Sequence, residues 1–407
     1  MPNYETKYDP KIHEPKDLKH IQYTKKGHVA YVTINRPEVM NACHPPANRE
    51  LAEVFEAKLA AENGIRVRPD SRVVITAGSN LGFMNAVLAI ADPGDEFIFP
   101  LPYYFNHCMA VTMANCVTVG VKTKPDYQLD VDAIARAITP KTRAVFLTHV
   151  LGYNGLSKRL LDELARRKVP LIEDVCESHG ATFAGRKLGN FGLMSNFSFY
   201  YAHHMSTIEG GMVCTNDPDI YQKVRMLRSH GMVRESTDPA TRAAYQAENP
   251  ELNPDFIFAF PAFNVRNTEI GAILGRQQLK RLDENVALRT RNLELFLSLI
   301  DPSRYRTDFK LEGSSNYAFN LVLKHPDSEA MGRLMDRLHQ EGVEFRRGSA
   351  GGGNQLRQPY LRGIVPADSY KAYPETDHVH FYGMYIGNFP DLSEAEVRSL
   401  CEIVNGI

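Results

Sequence analysis

Residues 73–107 read VVITAGSNLGFMNAVLAIADPGDEFIFPLPYYFNH, and the alternation inside this stretch decides the fold. Val73 to Thr76 is a short β-branched run, which predicts a buried strand, and a helix follows from Asn80. Pro93-Gly94-Asp95 marks a turn, Phe97 to Pro100 reads as the next strand, and a further helix runs through Met109 to Met113. Moving outward, the pattern repeats. Strands are expected at Cys116 to Val121, Ala144 to Thr148 and Pro170 to Glu173, with helices around Val131 to Ile138 and Lys158 to Arg167. Alternation of this kind predicts an α/β fold with a mostly parallel sheet sandwiched by helices.

Before this region, His28 to Asn35 alternates like a strand, and Asn48 to Glu62 carries apolar residues at helical spacing. After it, Ser195 to Thr215 holds two strand-like pieces around a turn rich in histidine and glycine. A long helical pattern spans Thr268 to Leu299, followed by a strand at Tyr317 to Leu323 and helices at Ser328 to Glu341 and Glu394 to Val404. The polar stretch from Arg234 to Phe256 reads as a lid or a solvated loop. The division expected is an N-terminal segment at 1–57, a large domain at 58–284 and a smaller α/β domain at 285–407.

The 407 residues carry a formal net charge of -1, which argues against a broad basic surface for nucleic acid. Residues 1–19 lack the apolar core of a secretory signal and no later run approaches a membrane span, so a cytoplasmic address is expected. The six cysteines include no Cys-x-x-Cys pair and read as reduced thiols, with no metal or iron-sulfur site implied.

Three short motifs can carry chemistry. Gly78-Ser79-Asn80 sits between a strand and a helix start, where free N–H groups and the helix dipole suit a phosphate, although the same residues also suit a simple helix cap. Tyr103 and Tyr104 follow a strand end, where an aromatic ring can stack on a flat ligand or merely fill the core. Glu173-Asp174 closes an apolar strand. A carboxylate there needs a partner, either the protonated ring nitrogen of a cofactor or a group of the chain itself.

Taken together these motifs resemble known families. Residues 58–148, with ITAGSNLGFMNAVLAI and DPGDEFIFPLPYYFNH, resemble the cofactor domain of class I aminotransferases. From His149 onward the chain resembles the DegT/DnrJ/EryC1/StrS sugar aminotransferases, through IEDVCESHGATFAGRKLGNFG, NFSFYYAHHMSTIEGGMVCTND and FNVRNTEIGAILGRQQLKRL. Both families share fold type I and use pyridoxal 5'-phosphate or its pyridoxamine form. Residues 20–52, which include GHVAYVTINRPEVMNACHPPANREL, are similar to the opening of a crotonase-family enoyl-CoA hydratase, but the later segments of that family do not follow. The chain therefore reads as a composite of three family-like pieces.

The resemblance implies roles for single residues. Gly78, Ser79, Asn80 and Ser198 would hold the cofactor phosphate, Tyr104 would stack on the pyridine and Asp174 would keep its nitrogen protonated. Asn264 would reach the phosphate from the neighbouring subunit of a homodimer. The departure lies at the lysine position, which here holds His203. No Schiff base to the chain can form there, and histidine, with an ordinary pKa near ~6.5, keeps only the base function. A subset of the family, the sugar 3-dehydratases acting on nucleotide-linked 4-keto-6-deoxyhexoses, carries a His-His pair here, as His203-His204 do. Glu177 stands where aminotransferases have glutamine, in agreement with that subset. His204, Arg346, Arg347 and Arg357 are candidate contacts for the nucleotide sugar or for glutamate, His204 having a structural role as its alternative. The expected reaction is 3-dehydration with glutamate regenerating pyridoxamine phosphate. Transamination of a keto sugar or amino acid, and a catalytically inactive binding or regulatory protein, are the alternatives.

Overall fold

The computed structural model describes residues 21–26, 29–34 and 72–407 except 102, 125, 127, 363 and 364. β1 (Ile21–Lys26) and β2 (Val29–Ile34) pair antiparallel as a two-stranded sheet of their own. β2 is the strand expected at 28–35. The helix expected at 48–62 lies outside the described residues.

The large unit is built on seven strands. They are β3 (Arg72–Thr76), β4 (Glu96–Leu101), β5 (Val117–Lys122), β6 (Thr142–Thr148), β7 (Leu171–Asp174), β10 (Met194–Ser198) and β11 (Gly211–Thr215), with a small β8–β9 hairpin (Thr182–Phe183 and Arg186–Lys187) between β7 and β10. Their spatial order is β3-β11-β10-β7-β6-β4-β5, and β11 alone runs antiparallel to its neighbours. Six parallel strands thus point their C-terminal ends to one edge. In β4 the alternation of a strand buried on both faces is explicit: Phe97 and Phe99 enter one core with Phe83, Val87 and Phe146, while Ile98 enters the opposite core with Val145, Ile134 and Leu160.

The helices that cover the sheet start where the sequence supplies an acceptor. α3 (Val131–Ala137) is capped by Asp130, α4 (Lys158–Arg167) by Ser157 and α5 (Pro218–Leu227) by Asp217 ahead of a first-turn proline. α1 (Ser79–Ile90) and α2 (Phe105–Met113) lack a side-chain cap. Two expectations change here. The polar stretch 234–256 contains a ten-residue helix, α6 (Pro239–Glu248), because Asp238 accepts from the N–H groups of Ala240 and Thr241 and Pro239 fixes the first turn. The long pattern from 268 to 299 is two helices, α7 (Glu269–Leu279) and α8 (Leu282–Leu299), broken where Arg281 leaves the helical backbone.

The smaller unit packs α8, α9 (Ser328–Gln340) and α11 (Glu394–Asn405) on a three-stranded antiparallel sheet, in the order β12 (Ala318–Val322), β14 (Gly383–Gly387), β13 (Phe345–Arg347). Its core joins Phe296, Tyr305, Phe319, Leu334 and Val397. α10 (Pro374–Tyr382) leads into β14. Ser393 and Glu396 form a reciprocal capping box that starts α11. Among the described residues no helix is long and apolar enough to cross a membrane.

Candidate active site

A cavity of about 550 Å³ opens at the C-terminal edge of the parallel strands, the place where open α/β sheets bind ligands. Its lining includes Gly78, Ser79, Asn80, Tyr104, Asp174, Glu177, Ser198, His203, Arg346 and Arg347. Ten of the residues singled out from the sequence therefore converge on one space, delivered by the ends of β3, β4, β7 and β10, the turns after them, and β13 of the small domain. Asn264, His204 and Arg357 are not among the lining residues.

Gly78 shows how the start of α1 is left open. It occupies the N-cap position of α1 at φ 85, and no side chain caps the helix, so the first N–H groups face the cavity without a side-chain acceptor. Across from it, a Cβ on Gly211 at the start of β11 would lie about 2.3–2.5 Å from the backbone of Gly78 and Ser79. Only glycine admits that approach, which seats the loop against the sheet.

The two carboxylates of β7 find different partners. Glu173 is fully buried and accepts backbone N–H groups from Gly189 (2.9 Å), Phe191 (2.7 Å) and Gly192 (2.9 Å), with His149 Nε2 at 3.4 Å. Burial acts to raise its pKa, but His149 and the N–H donors outweigh it and hold the group below the usual value. Asp174 is turned to the cavity, where His107 Nε2 stands 3.3 Å from its Oδ2. Burial drives His107 down to about 4, Asp174 only partly opposing it, so near neutrality the ring is uncharged and its Nε2–H donates to the carboxylate. Thr148 Oγ1 lies 3.4 Å from Nδ1 on the other side. His107 has no role in the sequence reading; its place one helical turn after Tyr104 is the signal that could have found it.

His203 occupies the turn between β10 and β11, with Tyr200 and Tyr317 edge-on to its ring at 5.8 and 5.5 Å. Burial, aided by His179 and Arg289, lowers its pKa to about 3. The imidazole is therefore uncharged near neutrality. Burial also raises Glu177 to about 7, and its Oε2 accepts the Leu151 N–H at 2.8 Å. Arg346 bears on Tyr385, whose hydroxyl stabilises its charge most and raises its pKa.

The remaining candidates are engaged elsewhere. His204 Nε2 donates to the carbonyls of Ser315 (2.8 Å) and Asn316 (3.0 Å) and is buried, which gives it a structural place below the cavity. The guanidinium fork of Arg357 is held by Asp377 at 2.5 and 2.7 Å and stacks on Tyr370 at 3.7 Å, so it is not available to a substrate anion in this arrangement. Asn264 is exposed, and its backbone forms an antiparallel bridge with that of the buried Ser229.

The mostly parallel seven-stranded sheet and the cavity at its C-terminal edge are those of a fold-type-I pyridoxal-phosphate enzyme. Residues 45–405 match the DegT/DnrJ/EryC1/StrS aminotransferase family, and the chain belongs to it. Among curated relatives, a GDP-4-keto-6-deoxy-D-mannose 3-dehydratase of Escherichia coli O55:H7 is 27% identical over 353 residues, covering 83% of this chain and 88% of that protein. A GDP-perosamine synthase of Caulobacter vibrioides is 36% identical over 200 residues, 49% of each chain. Among solved structures, a GDP-4-keto-6-deoxymannose-3-dehydratase with a trapped PLP-glutamate geminal diamine shares the fold at a TM-score of 0.73, with 24% identity over 87% of this chain and 92% of that one.

Proposed function

We propose that this chain binds pyridoxamine phosphate without a covalent link and removes the 3-hydroxyl of a nucleotide-linked 4-keto-6-deoxyhexose, glutamate restoring the amino form of the cofactor. The observation that carries this reading is His203 in the cavity, at the position where the family has lysine, with no lysine among the described lining residues. The residues present fit the cofactor: a bare helix start for the phosphate, Tyr104 for the ring and Asp174 for a protonated ring nitrogen. Bound there, the cofactor supplies an electron sink for substrate chemistry.

The chain's own residues supply the rest. Asp174, oriented by the Nε2–H of His107, holds a proton on its partner nitrogen. His203 enters the reaction neutral and takes a proton on its imidazole. Glu177, poised near 7, can give or take a proton at the cavity wall. Arg346 and Arg347 line the cavity from β13 and present two cations to a diphosphate or to the carboxylate of glutamate.

A second copy of the chain belongs to this reading. Phe256, Phe258, Phe263, Val265 and Ile270 are exposed around Asn264, and Ile270 is 71% exposed. Apolar side chains gathered in this way suit a partner surface, which would bring Asn264 to the neighbouring cavity. The cofactor arm of the proposal is tested by borohydride reduction after addition of pyridoxal phosphate: the expected result is a spectrum that washes out on dialysis. A borohydride-stable adduct on a lysine overturns the assignment of His203.

A further inference from the structure

Below the cavity, His179 and His204 are buried against the half-buried His203 of the cavity wall, and beside them lies Arg289 of α8, which is 5% exposed and has no ion-pair partner among the described residues. A guanidinium taken out of water without a counter-charge is costly, and an ordinary core position would hold an apolar residue more cheaply. Its contacts show what it holds. Nη1 donates to the Tyr317 carbonyl at 3.0 Å, the Arg289 carbonyl accepts from Asn388 Nδ2 at 2.8 Å, and that same amide reaches Asn316 Oδ1 at 2.6 Å. The segment 315–317 is thereby tied to α8.

That segment in turn faces both candidate proton-transfer groups. Its carbonyls receive His204, and the Tyr317 ring stands edge-on to His203. On the opposite side Tyr317 N–H donates to the Leu151 carbonyl at 3.0 Å, and Leu151 N–H donates to Glu177. Leu151 at φ 53 and Asn316 at φ 25 both hold left-handed backbone at this crossing. Such conformations persist in non-glycine residues where the surroundings over-determine them.

We propose that Arg289 is a positioning residue for His203, fixing through the Tyr317 carbonyl the ring that stands against the imidazole. The proposal rests on the reading of His203 as the base. The groups facing that imidazole are His179 after β7, Tyr200 on its own turn and Tyr317 before β12, with the Arg289 charge behind them. After burial itself, His179 and Arg289 are the influences that disfavour the protonated ring.

The test uses the full chain loaded with pyridoxamine phosphate and labelled with ¹⁵N-histidine, the His203 signal being assigned by its loss in His203→Asn. Arg289→Lys keeps the charge, whereas Arg289→Gln keeps a donor for the Tyr317 carbonyl and loses the charge. In the parent chain and in Arg289→Lys, His203 should show no titration between about pH 5 and 8. In Arg289→Gln its midpoint should rise above the parent's while burial and His179 still hold it below its ordinary value, and KM for the sugar nucleotide should hold. Arg289→Leu removes the donor to the Tyr317 carbonyl as well as the charge; its turnover should fall about 10-fold or more below that of Arg289→Gln. A folded Arg289→Gln whose His203 midpoint does not rise above the parent's, or a folded Arg289→Leu that turns over as fast as Arg289→Gln, overturns the proposal. The titration reads Arg289 even if the chain turns over no 4-keto sugar, so failure of the dehydratase reading is seen separately, as absence of deoxygenated product.

Discussion

Glu173→Ala tests whether the site edge of the sheet is held together by one carboxylate. In the folded chain Glu173 is 0% exposed and satisfies the N–H groups of Gly189, Phe191 and Gly192, besides facing His149. Removing it leaves three backbone donors of the 189–192 turn without their acceptor and His149 without its partner. Each orphaned buried donor costs about 1–3 kcal/mol, and with partial relaxation and entry of water the loss should come to about 3–5 kcal/mol. The pH dependence has a definite sign. Because the folded group is held below its unfolded value near ~4.3, its contribution is present above that pH and fades as the pH falls through the folded pKa. The chain has no tryptophan, so unfolding in urea is best followed by circular dichroism at pH 7 and again near pH 4. A variant within about 0.5 kcal/mol of the parent at pH 7 would refute the reasoning, since that is the range of a surface change.

Three further outcomes are expected. His203→Asn should bind pyridoxamine phosphate nearly as the parent does, by difference absorbance, yet lose turnover by about 10²- to 10⁴-fold; His203→Lys should retain pyridoxal phosphate through dialysis while dehydration falls. Glu177 is raised in the folded chain to about 7, so it keeps a proton that the unfolded chain releases, and stability should decline between about pH 4.5 and 7. Glu177→Gln removes that decline, gaining about 3 kcal/mol over the parent at pH 8 relative to pH 4 in urea titrations; parallel curves for the two chains count against the buried carboxyl. Ile270→Asp should lower the sedimentation mass toward that of one chain, and an unchanged mass means the partner surface lies elsewhere.

The parts of the fold that were legible are those where local chemistry and the core agree. β4 and β6 are apolar runs closed by turns, and α4 begins at a serine that caps it. The break between α7 and α8 was hidden because Leu279-Lys280-Arg281-Leu282 continues an apolar period while only the backbone at Arg281 departs from the helix. α6 is masked by its polar composition, although Asp238-Pro239 is a helix-start signal. β13 is three residues long and β14 is flanked by glycines, too little pattern to stand out. Within the site, motifs that lie at strand ends converged as expected, because the parallel sheet aligns those ends. Contacts between distant segments could not be read from spacing: the pairing of His107 with Asp174, the capture of Arg357 by Asp377 and the tie from Arg289 to Tyr317 exist only once the sheet and the small domain are assembled.

Product analysis tests the central claim most directly. The chain is incubated with a nucleotide-linked 4-keto-6-deoxyhexose, pyridoxamine phosphate and glutamate, and the sugar is identified by mass and proton spectra. The account predicts a sugar that has lost its 3-hydroxyl, with 2-oxoglutarate formed alongside it and with both products failing to appear in His203→Asn. A 4-amino sugar that keeps its 3-hydroxyl would contradict it and assign the cavity to transamination.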